Sequence, residues 1–196
     1  MSKQWIAIPL LASLFLVAGC ETTPSTAKPE EPTYDQAAMS EFIRANYAAA
    51  AELLKGYQPL AAANNFSNNG GSAPLIVSTL VNIDRLDQSS TLGRLISEQL
   101  ASRISQLGQN VVELKLRNSV FMKQNQGEFL LTREIKELAS AHRAQAVVVG
   151  TYADGGDYVF VSLKLVNPAN SLILSSYDYA LPMNRQVRRL TSNNRP

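Results

Sequence analysis

The sequence predicts an α+β fold, a mixed β-sheet with helices packed on one face, in the order β-α-β-(β)-α-β-β-β after an N-terminal helix. Three observations carry this expectation. The run Leu75-Ile76-Val77-Ser78-Thr79-Leu80-Val81-Asn82-Ile83 is apolar on both alternations, as in a strand covered on both faces. Leu92, Leu95, Ile96, Leu100, Ile104 and Leu107 recur at helical spacing and make one buried stripe. Tyr158 to Leu165 and Leu172 to Tyr179 are strand-like, and the segments before each, Asp154-Gly155-Gly156-Asp157 and Asn167-Pro168-Ala169-Asn170, are too short for parallel crossovers. The last three strands are therefore expected as an antiparallel meander.

In chain order, residues 1–19 read as a lipoprotein signal peptide. Lys3 precedes an apolar run from Trp5 to Val17, shorter than the roughly 18 residues that span a bilayer. The run closes on Val17-Ala18-Gly19-Cys20, which resembles the bacterial lipobox and implies cleavage before Cys20, with lipid on its sulfur and an acyl group on its new amine. Each buried methylene contributes about 0.8 kcal/mol, so two or more acyl chains give lasting attachment. Glu21 follows; an aspartate there would resemble an inner-membrane retention signal, so its absence favours the outer membrane. Residues 20–34 form the expected lipidated tether, rich in Pro, Thr, Ser and Glu and too poor in apolar groups to offset its own ordering.

The domain is expected over residues 35–182. Asp35 reads as the cap of a helix to about Lys55, with Tyr34 and Met39 spaced as a hydrophobic staple and Phe42, Ala45, Ala49 and Leu53 as its stripe. Gly56 and Pro59 end it, and Asn64 to Gly71 is a polar loop. After the central strand, Ser89 or Ser90 is placed to cap the second helix, which Gly108 stops. Val111 to Leu116 reads as a strand, and Val120 to Met122 with Phe129 to Leu131 as a small irregular hairpin. Thr132 can cap a third helix to about Arg143, with Ile135, Leu138, Ala139 and His142 on one side, before the buried strand Ala146 to Gly150. Residues 183–196 carry Arg185, Arg188, Arg189 and Arg195 without an acid, and read as a basic, solvated tail with anionic headgroups or an acidic partner as the competing use.

Composition narrows the function. Eighteen basic and sixteen acidic residues give +2 over the chain, too weak a balance for nucleic acid as the main partner. The single cysteine, assigned to lipid, leaves no intramolecular disulfide and no CxxC site. The single histidine, His142, allows no two-histidine metal site; on an apolar stripe near a helix end it is better explained as structural. Asp84 and Asp87 flank the end of the central strand, where α/β ligand clefts form, but turn and capping roles explain them as well. The turn at Asp154 and Asp157 offers too few oxygens for calcium. No phosphate loop, zincin helix or nucleophile elbow is present, so neither an enzyme nor a cofactor is expected.

The segment Pro74 to Val77, Asn82-Ile83-Asp84, Ser90 to Leu100 and Gly108 to Leu114, followed by Leu131 to Glu134, Ala144 to Tyr152 and Val161 to Asn167, resembles the FlgO family of outer-membrane lipoproteins from about Met39 to Leu181. The resemblance implies a periplasm-facing, non-catalytic component that supports the flagellum at the outer membrane and motility. Flagellar ring proteins are then the partners, in a homo- or hetero-oligomeric ring. The fold is also similar to lipoprotein activators of penicillin-binding proteins and to the amino-terminal domain of TolB, which keeps a regulator of a cell-wall synthase or other envelope machine as the alternative. That role needs a longer tether to cross the peptidoglycan. Only Cys20 carries over as a functional residue, for lipid attachment.

Overall fold

The computed structural model describes residues 31–38, 40–57, 73–114 and 133–192. The chain enters through a short helix α1 (Tyr34–Ala38) and a longer α2 (Glu41–Lys55). The single helix expected from Asp35 is thus broken at Ser40. The cap of α1 is Thr33, not Asp35. Thr33 Oγ1 accepts from Gln36 N at 3.3 Å and Gln36 Oε1 accepts from Thr33 N at 3.0 Å, a reciprocal capping box. Tyr34 is 96% exposed and staples nothing, while Met39 lies outside the described residues. On α2, Phe42, Asn46, Ala49, Ala50 and Leu53 are buried, close to the expected stripe.

The central run is two strand segments, β1 (Leu75–Ser78) and β2 (Val81–Asn82). They are followed by α3 (Thr91–Gln106), β3 (Val111–Leu114), α4 (Arg133–Ala141), β4 (Ala146–Asp154), β5 (Tyr158–Val166), β6 (Ile173–Pro182) and α5 (Arg185–Thr191). The sheet order is β3-β1-β4-β5-β6, with β2 also on β4. The β1, β2 and β3 pairings are parallel; β4-β5-β6 is the expected antiparallel meander. The α+β class with a mixed sheet is therefore the one found.

Helices α2, α3 and α5 share one face, where Leu53, Leu92, Ile96, Leu100, Ile104 and Val187 pack on Leu75, Val77, Val148, Val161, Leu163 and Leu165. The expectation of helices on one face does not extend to α4. Its Ile135 and Ala139 pack with Ile76, Val81, Val147, Val149 and Val166 on the other side. The strand order explains this. The connection from β1 to β3 and that from β3 back to β4 run in opposite directions across the sheet, and two right-handed crossovers of opposite direction place their helices on opposite faces.

The interruption between β1 and β2 is a β-bulge. Val77 pairs with Val148 and Val81 with Thr151, so four steps on one strand oppose three on the other. The phase of the side chains shifts with it. Alternation from Leu75 and Val77 would send Leu80 toward α4, yet Leu80 lies in the α2–α3 core and Val81 on the α4 side. Serines satisfy the bulged backbone: Leu80 N donates to Ser97 Oγ at 2.9 Å, and Ser89 Oγ donates to Leu80 O at 2.7 Å. Two glycines make room. A Cβ at Gly93 would stand 2.3 Å from Leu80 O, and one at Gly150 would stand 2.9 Å from Leu80 Cγ.

Two helix ends use left-handed residues. Gly108 has φ 84° after α3, with Gln109 N donating to Ile104 O and Gly108 N to Ser105 O. Arg143 takes the same role after α4 with φ 52°. The expected hairpin within 120–131 and the cap at Thr132 lie outside the described residues.

Candidate functional site

Of the residues singled out in the sequence, Cys20 and Arg195 lie outside the described residues. Asp84 and Asp87 sit in the loop after β2, both exposed. That loop is built for itself: Asn82 Oδ1 accepts from Asp84 N at 2.8 Å, Asn82 N donates to Gln88 O at 3.0 Å and Ile83 N to Tyr152 O at 3.0 Å. It then feeds α3, where Ser90 Oγ accepts from Gly93 N at 3.3 Å and Ser90 N donates to Tyr152 Oη at 3.0 Å. Among the described residues, Asp84 and Asp87 are brought to no second chemical group, and no cluster of three or more His, Cys, Asp or Glu suited to a metal occurs. His142 follows the last residue of α4 and is exposed, so its place on the apolar stripe is corrected by the end of the helix at Ala141. Asp154 Oδ1 accepts from Gly156 N at 2.9 Å within the β4–β5 turn, as hairpin chemistry requires.

The basic tail is also corrected. Residues 185–191 are a helix, capped by Asn184 Oδ1 on Val187 N at 2.9 Å and held down by buried Val187 and Met183 against the α2–α3 core. Arg185, Arg188 and Arg189 are exposed on it. The signal was present as Met183, Val187 and Leu190 at helical spacing behind an Asn cap, but arginine dominated the composition.

The larger feature is a surface. On the α4 side of the sheet, α4 covers Val147 and Val149 but leaves the far ends of β4, β5 and β6 open. Register places their side chains in rows. Thr151, Ser162 and Asp178 form a polar row across three strands, and Ala153, Phe160 and Ala180 form an apolar row beside it. Phe160 is 55% exposed and Tyr158, two residues before it, is 51% exposed. With Ile83 at its rim, this ground forms a groove of about 460 Å³. The sequence shows β5 as a strand but not the groove, because only register aligns Phe160 between two alanines.

Among the described residues, strand β6 ends the sheet. Met183 N donates to Asp157 O at 2.8 Å, which makes these residues a hydrogen-bonded pair in the β5–β6 register. Alternation then turns the backbone groups of Tyr177, Tyr179 and Leu181 toward β5 and those of Ser176, Asp178 and Ala180 outward. Pro182, which has no N–H, falls on an outward position and costs β5 nothing. From the opposite face α2 pins the strand: Tyr179 Oη donates to Asn46 Oδ1 at 2.5 Å, and Asn46 Nδ2 donates to Gln99 Oε1 at 2.6 Å. Burial, and to a smaller extent Tyr177 beside it, holds the Tyr179 phenol well above its ordinary range.

No helix among the described residues is long and apolar enough to cross a membrane. What the fold and this surface define is a small α+β module whose distinctive groups are an open sheet face and an open strand edge. The chain belongs to the FlgO family, described as FlgO protein, which matches residues 47–186. Solved structures similar to it include the LpoB C-terminal domain from Salmonella enterica, at 13% identity and TM-score 0.47, covering 74% of this chain and 100% of that one. Escherichia coli LpoB matches at 17% identity and TM-score 0.45, covering 89% and 82%. Lipoprotein GNA1162 from Neisseria meningitidis matches at 17% identity and TM-score 0.40, covering 58% and 83%. No curated protein matches the sequence. Family membership supports an outer-membrane lipoprotein.

Proposed function

We propose that this protein is a non-catalytic lipoprotein on the periplasmic side of the outer membrane, where it is a structural or assembly component of the flagellum and is needed for motility. The observation that carries the reading is FlgO membership over residues 47–186. Val17-Ala18-Gly19-Cys20 supports the anchor, and the tether that follows sets the distance of the domain from the bilayer. The open edge and face of the sheet are the kind of surface an adaptor uses, with flagellar ring proteins as its partners.

The test is a clean in-frame deletion scored for swimming and for cell-wall sensitivity, with wild-type and Cys20→Ala copies returned. Swimming is expected to be lost, restored by wild type and poorly restored by the copy that cannot carry lipid. Normal swimming with sensitivity to cell-wall antibiotics would sink this reading and favour a regulator of a cell-wall synthase.

A further inference from the structure

We propose that the outer edge of β6 takes an extended segment of a protein partner as an added strand, and that the groove beside it selects a segment with a basic and an apolar residue on one face, one residue apart. This rests on the adaptor reading and names the chemistry of its partner.

The backbone defines the kind of occupant. Ser176, Asp178 and Ala180 turn their N–H and C=O groups away from β5, and among the described residues no strand pairs with them. A row of alternating donors and acceptors at strand spacing is matched by another strand. The side chains define its sequence. Asp178 is exposed and forms no ion pair among the described residues, so a Lys or Arg directly opposite it on the added strand meets an uncompensated carboxylate. Ala180, the next residue on that face, is small, and its neighbour across β5 is the exposed ring of Phe160. An apolar side chain opposite Ala180 can lean over the alanine and cover that ring. Pro182 closes the register, because past Ala180 the edge offers no further outward N–H.

The test uses the purified full chain in detergent and a short synthetic peptide carrying Lys and Phe one residue apart in a Thr/Val background, with a Glu-for-Lys version beside it. Amide exchange and affinity are read together. The Lys peptide is expected to slow exchange at Ser176, Asp178 and Ala180, and Asp178→Lys to weaken it about tenfold while improving the Glu peptide. Ala180→Pro is expected to abolish binding of either. Retained protection of the inward amides of Tyr177 and Tyr179 checks that each variant is folded; if Ala180→Pro fails that check, the charge exchange at Asp178 decides. Unchanged exchange at the outward amides, or affinities indifferent to Asp178→Lys, overturns the proposal. So does sedimentation showing that the chain pairs with a second copy through this edge. Because the adaptor reading is scored by swimming and by Cys20→Ala, a failed peptide result with motility still dependent on the protein removes the edge assignment alone.

Discussion

Gly93 and Gly108 do different work, and one added methyl group separates them. At Gly93 a Cβ would meet the carbonyl oxygen of Leu80 at 2.3 Å, and that oxygen is backbone inside a bulge that cannot retreat. At Gly108 a Cβ has nothing within 4 Å, but φ is 84°. Gly108→Ala is therefore expected to cost about 1 kcal/mol, the ordinary penalty of a left-handed alanine. Gly93→Ala should cost more, about 3 kcal/mol, since α3 must move off the strand or the bulge must rebuild. Urea unfolding of the two variants checks the order; equal losses would mean that α3 tolerates displacement from Leu80. Leu80 itself is the residue most easily misread in the sequence. Its neighbours place it on the α4 side, and only the extra residue in the strand, with Ser97 and Ser89 receiving its backbone, turns it the other way.

Helix α5 is where composition and packing disagree. Four arginines and no acid between 183 and 196 read as solvated chain, yet Val187 and Met183 close the α2–α3 core beneath Arg185, Arg188 and Arg189. Val187→Ala should destabilise by about 2 kcal/mol, while Arg185→Gln and Arg189→Gln should each stay within about 0.5 kcal/mol, as exposed positions do. Thermal unfolding of the three variants tests this, and a neutral Val187→Ala would mean that α5 is not part of the folded unit. The strands, the three main helices and the meander were legible because they rest on long apolar periodicity and on turns with fixed chemistry. The bulge after Ser78 and the place of α4 were not, since each depends on long-range pairing. The capping box of Thr33 and Gln36 could have been read, but Asp35 inside it was the stronger local signal. Of the surface, the pattern of β5 was visible; its alignment with Ala153, Asp178 and Ala180 needed the register.

For the whole molecule, the contact between Tyr179 and Asn46 ties the last strand to α2, and the burial of that phenol makes stability fall at high pH. The folded phenol titrates above its unfolded value, so folding is fully supported below about pH 10 and loses support as pH rises past the unfolded value toward the folded one. Tyr57, pushed up to about 12 by burial, acts in the same direction. Tyr179→Phe should lower stability near neutrality by about 1 kcal/mol for the lost hydrogen bond, and flatten the fall above pH 10. Denaturant titrations from pH 8 to 11 measure both; a slope unchanged in the variant would show that Tyr179 does not drive it. The same contact has a consequence in time. Asn46 and Tyr179 stand 133 residues apart, so α2 finds the strand it packs on only after nearly the whole chain is available. Folding of such a topology waits on its longest loop closure, and during synthesis the N-terminal helix has no finished sheet to join. A chain cut before Ile173 would therefore leave Asn46 without the strand it binds.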